Sequence, residues 1–259
     1  MSASGPAING EGASARVDHA AVLLANAWRS NVRLESLPPF ARPATIDEAH
    51  AIQDAMARLL GETIAGWKVG VSRPIRGAVL ASRLLSSPAV LHAAKMIRRV
   101  VEGEVAFVFH RALPPREHDY DREEVAEAVS ACAAIEVVDS RYENQAEQPE
   151  FDRIADFFGN SALVLGPQVR EWRHRPFATV HVSLTIDGHS IVDRQGGHAS
   201  GDPLHACVLF VNAMRVSAGV PAGMAVTTGT YTGAPALPIG STAVVAIDGL
   251  GQAQVSFIP

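Results

Sequence analysis

Val100-Val101-Glu102-Gly103-Glu104-Val105-Ala106-Phe107-Val108-Phe109 has the β-branched and aromatic content of a buried strand. Alternation puts Glu102 and Glu104 on one face with Val100, Ala106 and Val108, and Val101, Val105, Phe107 and Phe109 on the other. A strand apolar on both sides offers its charges no solvent, and unpaired buried carboxylates are very costly. A positive group must stand against them, and a divalent cation meets that need. A second apolar run, Ala133-Ala134-Ile135-Glu136-Val137-Val138-Asp139, is interrupted by a third acid, Glu136. Three carboxylates from two strands, with no accompanying Cys and no close His, make an all-oxygen set that favours Mg²⁺ or Mn²⁺ over zinc. Each motif alone has a plainer reading: a solvated Glu-x-Glu face, and a salt-bridged Glu136.

Composition sets the outer limits. The chain has 259 residues, 47% of them hydrophobic, and a mean hydropathy of +0.11, enough for one large domain or two small ones. A net charge of -5 and a pI near 6.0 argue against nucleic acid or anionic membrane as partners. No apolar run reaches the ~18 residues of a spanning helix. Residues 1–15 are small and polar, lack the basic start and apolar core of a signal peptide, and read as a disordered tail. Cys132 and Cys207 are far apart in helix-like patterns and read as free, buried thiols of a reducing cytoplasm.

Helices come first and strands later. Arg16 to Trp28 has apolar residues at helical spacing, and a proline-rich connector follows at 37–43. Thr45 with Glu48 three residues on predicts a capped helix to about Leu60. Gly66-Trp67-Lys68-Val69-Gly70-Val71 reads as a short strand, Arg122 to Ala133 as a helix capped by Asp121, and Asp202-Pro203 as the start of another, ending at Gly219. Thr242 to Ile247 and Gln252 to Phe257 flank Asp248-Gly249, a hairpin signal. Without regular βαβ alternation the class is α+β. The expected organisation is a helical amino-terminal part at 16–65 and a β-rich, metal-binding catalytic core at 66–259.

These motifs, in order, resemble a family. Gly66-Trp67-Lys68-Val69-Gly70-Val71-Ser72, Glu102-Gly103-Glu104, Ala134-Ile135-Glu136-Val137-Val138-Asp139-Ser140-Arg141, Ile154-Ala155-Asp156 and Thr227-Thr228-Gly229-Thr230-Tyr231-Thr232-Gly233 are similar to the 2-keto-4-pentenoate hydratase / 4-oxalocrotonate decarboxylase branch of the fumarylacetoacetate hydrolase family. The resemblance spans about Val17 to Phe257. It implies amino-terminal helices followed by a mixed β-roll catalytic core, a Mg²⁺ or Mn²⁺ site, 2-oxo acid substrates and oligomers. It also implies that Glu102, Glu104 and Glu136 are the metal ligands and Lys68 the active-site lysine. Such chemistry suits the residues, because a 2-oxo acid chelates a hard cation through a carboxylate oxygen and its 2-oxygen.

Other positions keep two readings. Lys68 is a proton donor or cationic anchor, or else a solvated edge-strand lysine. Thr228, Gly229 and Thr230 present hydroxyls and an N–H to a substrate carboxylate, or form a strand and turn. His198, in a glycine-rich loop, is a surface histidine or a mobile acid/base. Arg141 reads as pairing with a nearby carboxylate rather than touching substrate, and Asp156 has a similar standing. Two departures from the family stand out. Hydratases of this branch usually carry an acid beside a glycine shortly after the lysine strand, where this chain has Pro74-Ile75-Arg76-Gly77-Ala78-Val79-Leu80. After Ala155-Asp156, where relatives have a small polar segment, it has Phe157-Phe158-Gly159-Asn160-Ser161. Three functions follow: a lyase hydrating a 2-hydroxy-2,4-dienoate to a 4-hydroxy-2-oxo acid, as in aromatic-compound catabolism; a 2-oxo acid decarboxylase of the 4-oxalocrotonate type; or a non-catalytic partner subunit of a related enzyme. Hydrolysis of an acylpyruvate is a weaker variant, lacking a clear His-Glu pair to activate water. The expected partners are a small 2-oxo acid or dienol and further copies of the chain.

Overall fold

The computed structural model describes residues 9–259. Helix α1 (Asn9–Ser30) starts inside the stretch expected to be a tail, so residues 9–15 belong to it, while the first eight lie outside the described residues. It packs on α2 (Ile46–Leu60). The Thr45 hydroxyl accepts the Glu48 N–H at 3.1 Å, and Gly61, at φ 71°, ends α2 in the left-handed region that glycine tolerates. The Glu48 carboxylate accepts from the Ala44 N–H, one residue before the capping-box position, and pairs with Arg16 of α1.

The rest of the chain builds two sheets. The first strands are β1 (Ile64–Val69), β2 (Arg76–Leu80), β3 (Leu84–Ser86), β4 (Ala89–His92) and β5 (Val100–Phe109). Then come α3 (Arg122–Ala128), β6 (Val129–Val138), α4 (Glu150–Ala155), β7 (Asn160–Leu165), β8 (His181–Ile186) and β9 (His189–Gln195). The last elements are α5 (Pro203–Met214), β10 (Ala225–Thr230), β11 (Thr242–Ile247) and β12 (Gly251–Ile258). A seven-stranded mixed sheet runs β2-β1-β10-β5-β6-β7-β3 and curls until β2 approaches β7. A five-stranded sheet, β4-β12-β11-β8-β9, covers its outer face at β6. This is the α+β class expected, with a mixed sheet rolled towards a barrel.

Helix α3 stops at Ala128, and residues 129–133, expected to continue it, are strand. Ala131 to Ala134 favour helix locally, but β6 pairs with β5 from Val129↔Phe109 to Val138↔Val100. Burial on both faces overrides the weak local propensity. Cys132 is therefore a strand residue. It is free and buried, as is Cys207 of α5, and burial raises the Cys132 thiol to about 12. No helix among the described residues is long and apolar enough to cross a membrane.

The two faces of the rolled sheet divide the core. Val101, Val105, Phe107, Ala131, Ala133, Ile135 and Val137 face outward into the main core. Ala106, Val108, Cys132, Ala134, Leu163, Val79 and Ala225 form a separate inner cluster, most of them small because the roll is narrow. Inward-facing Gly77 of β2 lies opposite Lys68. A Cβ there would clash with the Phe157 carbonyl oxygen and meet the Phe158 Cβ at 2.7 Å. Gly77→Ala should therefore displace the Phe157–Phe158 turn and lower stability by about 1–3 kcal/mol, as overpacking does. Urea denaturation reads this, and an unchanged midpoint would show that the turn moves freely.

Candidate metal centre

Antiparallel register places Glu102 directly opposite Glu136, and Glu104 lies two residues along on the same face. The three side chains converge on the inside of the roll, with one oxygen from each lying within 4.8 Å of the others. Lys68, from β1, reaches the same point. Its Nζ is 2.9 Å from Glu136 Oε1 and 4.0 Å from Glu102 Oε2, with the Phe158 ring centroid 5.0 Å away. Glu104 and Glu136 are buried, and Glu102 and Lys68 are mostly covered. Lys68 is thus not a solvated edge residue, because β10 and β2 flank β1 on either side.

Charge here is unbalanced: three carboxylates face one ammonium. Burial and the neighbouring Glu136 charge raise Glu102 to about 7 and Glu104 to about 8, against Lys68 and, for Glu104, the Gly229 N–H. For Lys68, burial favours the neutral amine, but the fields of Glu136, Glu102 and Glu104 outweigh it and raise its pKa. Glu136 Oε1 also accepts from Asn160 Nδ2 at 3.0 Å, while Oε2 is buried with no hydrogen-bond partner. An orphaned carboxylate oxygen beside two carboxyls that resist ionisation fits a hard divalent cation.

The threonine–glycine strand does not present the groups expected of it. The Thr228 hydroxyl is buried and donates to the Val105 carbonyl at 3.0 Å. The Gly229 N–H donates to Glu104 Oε2 at 2.9 Å, and Thr230 Oγ1 is engaged by the Gly103 and Gly233 carbonyls. A bulge between Thr227 and Thr230 aims that N–H, and Gly229, at φ 108°, fits against Val71 and His198 where a Cβ would clash. The inward group is Thr227 instead, registered with Lys68 and Ala106, its hydroxyl buried and unpartnered. Strict alternation from Ala225 predicts this, and the expectation for Thr228, Gly229 and Thr230 does not. Asn160 carried no sequence signal beyond a polar residue after a glycine.

His198 is buried rather than on the surface. Its Nε2–H donates to the Thr228 carbonyl at 2.7 Å, its ring lies 5.0 Å from that of Tyr231, and burial lowers its pKa. The carboxylate that Arg141 meets is Asp156, both fully buried, with Ser140 donating to the same carboxylate at 2.7 Å. Arg76 alternates with Gly77 onto the outer face, its guanidinium 4.9 Å over the Trp67 ring and next to His50. Among the described residues, no β2 carboxylate faces Lys68.

No family model matches the chain. It is 30% identical over 224 residues to a 2-keto-4-pentenoate hydratase of Burkholderia vietnamiensis (strain G4 / LMG 22486), covering 81% of this chain and 85% of that protein. It is 27% identical over 196 residues to a 4-oxalocrotonate decarboxylase of Pseudomonas putida, covering 74% and 72%. In structure it matches the 4-oxalocrotonate decarboxylase from Pseudomonas putida G7, complexed with magnesium and adipate. That match has a TM-score of 0.80 at 22% identity, over 95% of this chain and 98% of the other. The rolled sheet with its acidic interior is thus the fumarylacetoacetate hydrolase fold. Within that fold, the chain belongs to the family of the 2-keto-4-pentenoate hydratases and 4-oxalocrotonate decarboxylases, whose named members are lyases.

The raised glutamates set a pH dependence. The folded metal-free protein holds protons that its unfolded chain has released, since both values lie above the ordinary 4.5 of a glutamate. That contribution is complete below the unfolded value and is lost as pH rises through about 7 and about 8. In EDTA, urea midpoints should therefore fall between about pH 5.5 and about pH 8.5, and saturating Mn²⁺ should remove most of the fall. Parallel profiles with and without Mn²⁺ would dissociate the carboxylates from metal binding.

Proposed function

We propose that the protein is a divalent-metal-dependent lyase that hydrates a 2-hydroxy-2,4-dienoate to a 4-hydroxy-2-oxo acid. The observation that carries this reading is the convergence of Glu102, Glu104 and Glu136 on Lys68 in a chain related to 2-keto-4-pentenoate hydratases. Mg²⁺ or Mn²⁺, held by the three glutamates, supplies when bound a Lewis acid for the substrate's carboxylate and 2-oxygen. Asn160 fixes the Glu136 carboxylate from one side and the Gly229 N–H fixes Glu104 from another, so both ligands are oriented in advance.

Lys68 is the catalytic group of this chain. With a cation beside it, the ammonium is no longer the carboxylates' sole counter-charge, and its N–H groups can turn to the substrate. There it donates a proton to the conjugated chain or holds the substrate carboxylate. The unpartnered Thr227 hydroxyl lies on the same inner face and offers the substrate a hydrogen bond. Phe158 covers Lys68 and limits water on that side.

A second reading, 2-oxo acid decarboxylation, is favoured by the absence of an acid on β2 facing Lys68. Loss of CO₂ needs somewhere for electrons to go but no group to activate water. Purified protein with Mg²⁺ or Mn²⁺, offered a panel of dienols and 2-oxo acids, decides by ultraviolet absorbance loss against CO₂ release. Metal binding without turnover on any member would support the partner-subunit role. The proposal places the protein in the cytoplasm as a homo-oligomer, and a 27.4 kDa particle in light scattering would overturn the second point.

Lys68→Met keeps the apolar stem and deletes the donor. It should lower kcat by about a hundredfold or more while thermal stability is retained with saturating Mn²⁺, as for loss of an acid/base group. Full activity in this variant would remove Lys68 from the chemistry.

A further inference from the structure

Away from the carboxylate cluster, the carboxyl end of α1, the turn after β2 and the start of β7 enclose a cavity of about 410 Å³. Its lining is dominated by guanidinium groups: Arg29, Arg33, Arg83 and Arg141 stand against one carboxylate, Asp139. Two of these charges are already balanced. Arg141 pairs with Asp156, and Arg33 pairs with Asp139, which also accepts the Arg98 N–H at 3.1 Å. Arg83 is different. It is partly buried and makes no ion pair or hydrogen bond among the described residues, and Glu62 is the only carboxylate whose field opposes the cost of its burial. Its guanidinium lies 5.5 Å over the Trp28 ring, with Arg141 4.9 Å from that ring too. Stacking on an indole holds the planar fork and leaves its N–H edge free. A further donor points to an acceptor. The Ser161 hydroxyl, on the cavity wall, makes no hydrogen bond among the described residues.

We infer that this cavity binds a small, doubly charged oxyanion, a phosphate or a short dicarboxylate, through Arg83 and Ser161, in the positive field of the other arginines that line it. The occupant balances the uncompensated guanidinium and gives the Ser161 hydroxyl an acceptor, which apolar or cationic ligands would not do. The site is distinct from the proposed reaction centre but tied to it. Arg141 donates from one guanidinium nitrogen to the Asn160 carbonyl at 3.1 Å, and Asn160 holds Glu136. Trp28 packs edge-on against Phe157, 5.6 Å away, at the back of the turn that places Phe158 over Lys68. An oxyanion here fixes the layer on which the Glu136 carboxylate and Phe158 rest.

The test titrates Mg²⁺-loaded protein with inorganic phosphate and, separately, with malonate in chloride buffer, following tryptophan fluorescence and the melting temperature. Saturable change with either anion is expected, and which one binds tighter names the source. Arg83→Gln should weaken that binding about tenfold or more, as loss of a charge-assisted contact does. Arg83→Lys, which keeps the charge but not the fork, should weaken it less and serves if the glutamine variant fails to fold. Glu104→Gln, at the carboxylate cluster, should leave it intact. No saturable change with either anion would overturn the inference. So would binding that survives both Arg83 variants, or binding that Glu104→Gln abolishes, which would assign the anion to the metal centre.

Discussion

Three carboxylates around one ammonium inside a rolled sheet is the constraint on which the other features depend. Like charges about 4 Å apart repel by roughly 4 kcal/mol at an effective dielectric of 20, so three ionised glutamates cannot share that interior unaided. Lys68 offsets one of them, and the raised Glu102 and Glu104 show the others relieved by protons when no cation is counted. The surroundings hold the geometry without removing the imbalance. Asn160 and the Gly229 N–H each offer a dipole rather than a charge, and the rest of the inner face is small and apolar. A fold whose purpose was stability alone would have placed aliphatic side chains at these positions.

Much of this was legible in the sequence because it rests on period-two alternation. Glu102, Glu104 and Glu136 fall on the inner face by parity, and the buried outward partners Val101, Val105 and Phe107 follow from it. Capping chemistry was equally local: Thr45, Asp121 and Asp202 each accept a backbone N–H at the start of a helix. What was not legible depended on pairing partners far along the chain. Cys132 is on a strand because β5 lies beside it, against the propensity of its alanine neighbours. The bulge at Gly229 overturns the expected roles of Thr228, Gly229 and Thr230, since one inserted residue commits Thr228 to Val105 and aims the Gly229 N–H at Glu104, while plain alternation turns Thr227 inward. His198 is buried by Tyr231 and by a carbonyl thirty residues away, which no loop composition announces.

Around the cluster stands a second layer, built on the Arg141–Asp156 pair. A buried ion pair is a weak source of stability but a strict one of geometry, because losing one partner leaves the other unpaired at a penalty of about 3–5 kcal/mol. Asp156 accepts from Arg141 and Ser140 and immediately precedes the turn at Phe157 and Phe158, whose φ values of 48° and 52° are unusual for aromatic residues. Strain of that kind persists only where surrounding contacts over-determine it. Here the Arg141 fork, the Trp28 edge and the bare backbone of Gly77 do so together.

The two stretches that depart from the family resemblance meet in the structure. Absence of a side chain at Gly77 lets the Phe157–Phe158 turn sit against β2, and Phe158 lies over Lys68. An aromatic face attracts the ammonium, by about 0.5–2 kcal/mol, without offering a group that takes up a proton. The groups that carry protons at the cluster are Lys68, the neighbouring Thr227 hydroxyl and the glutamates themselves. An apolar wall beside them lowers the local dielectric and strengthens every remaining charge–charge contact.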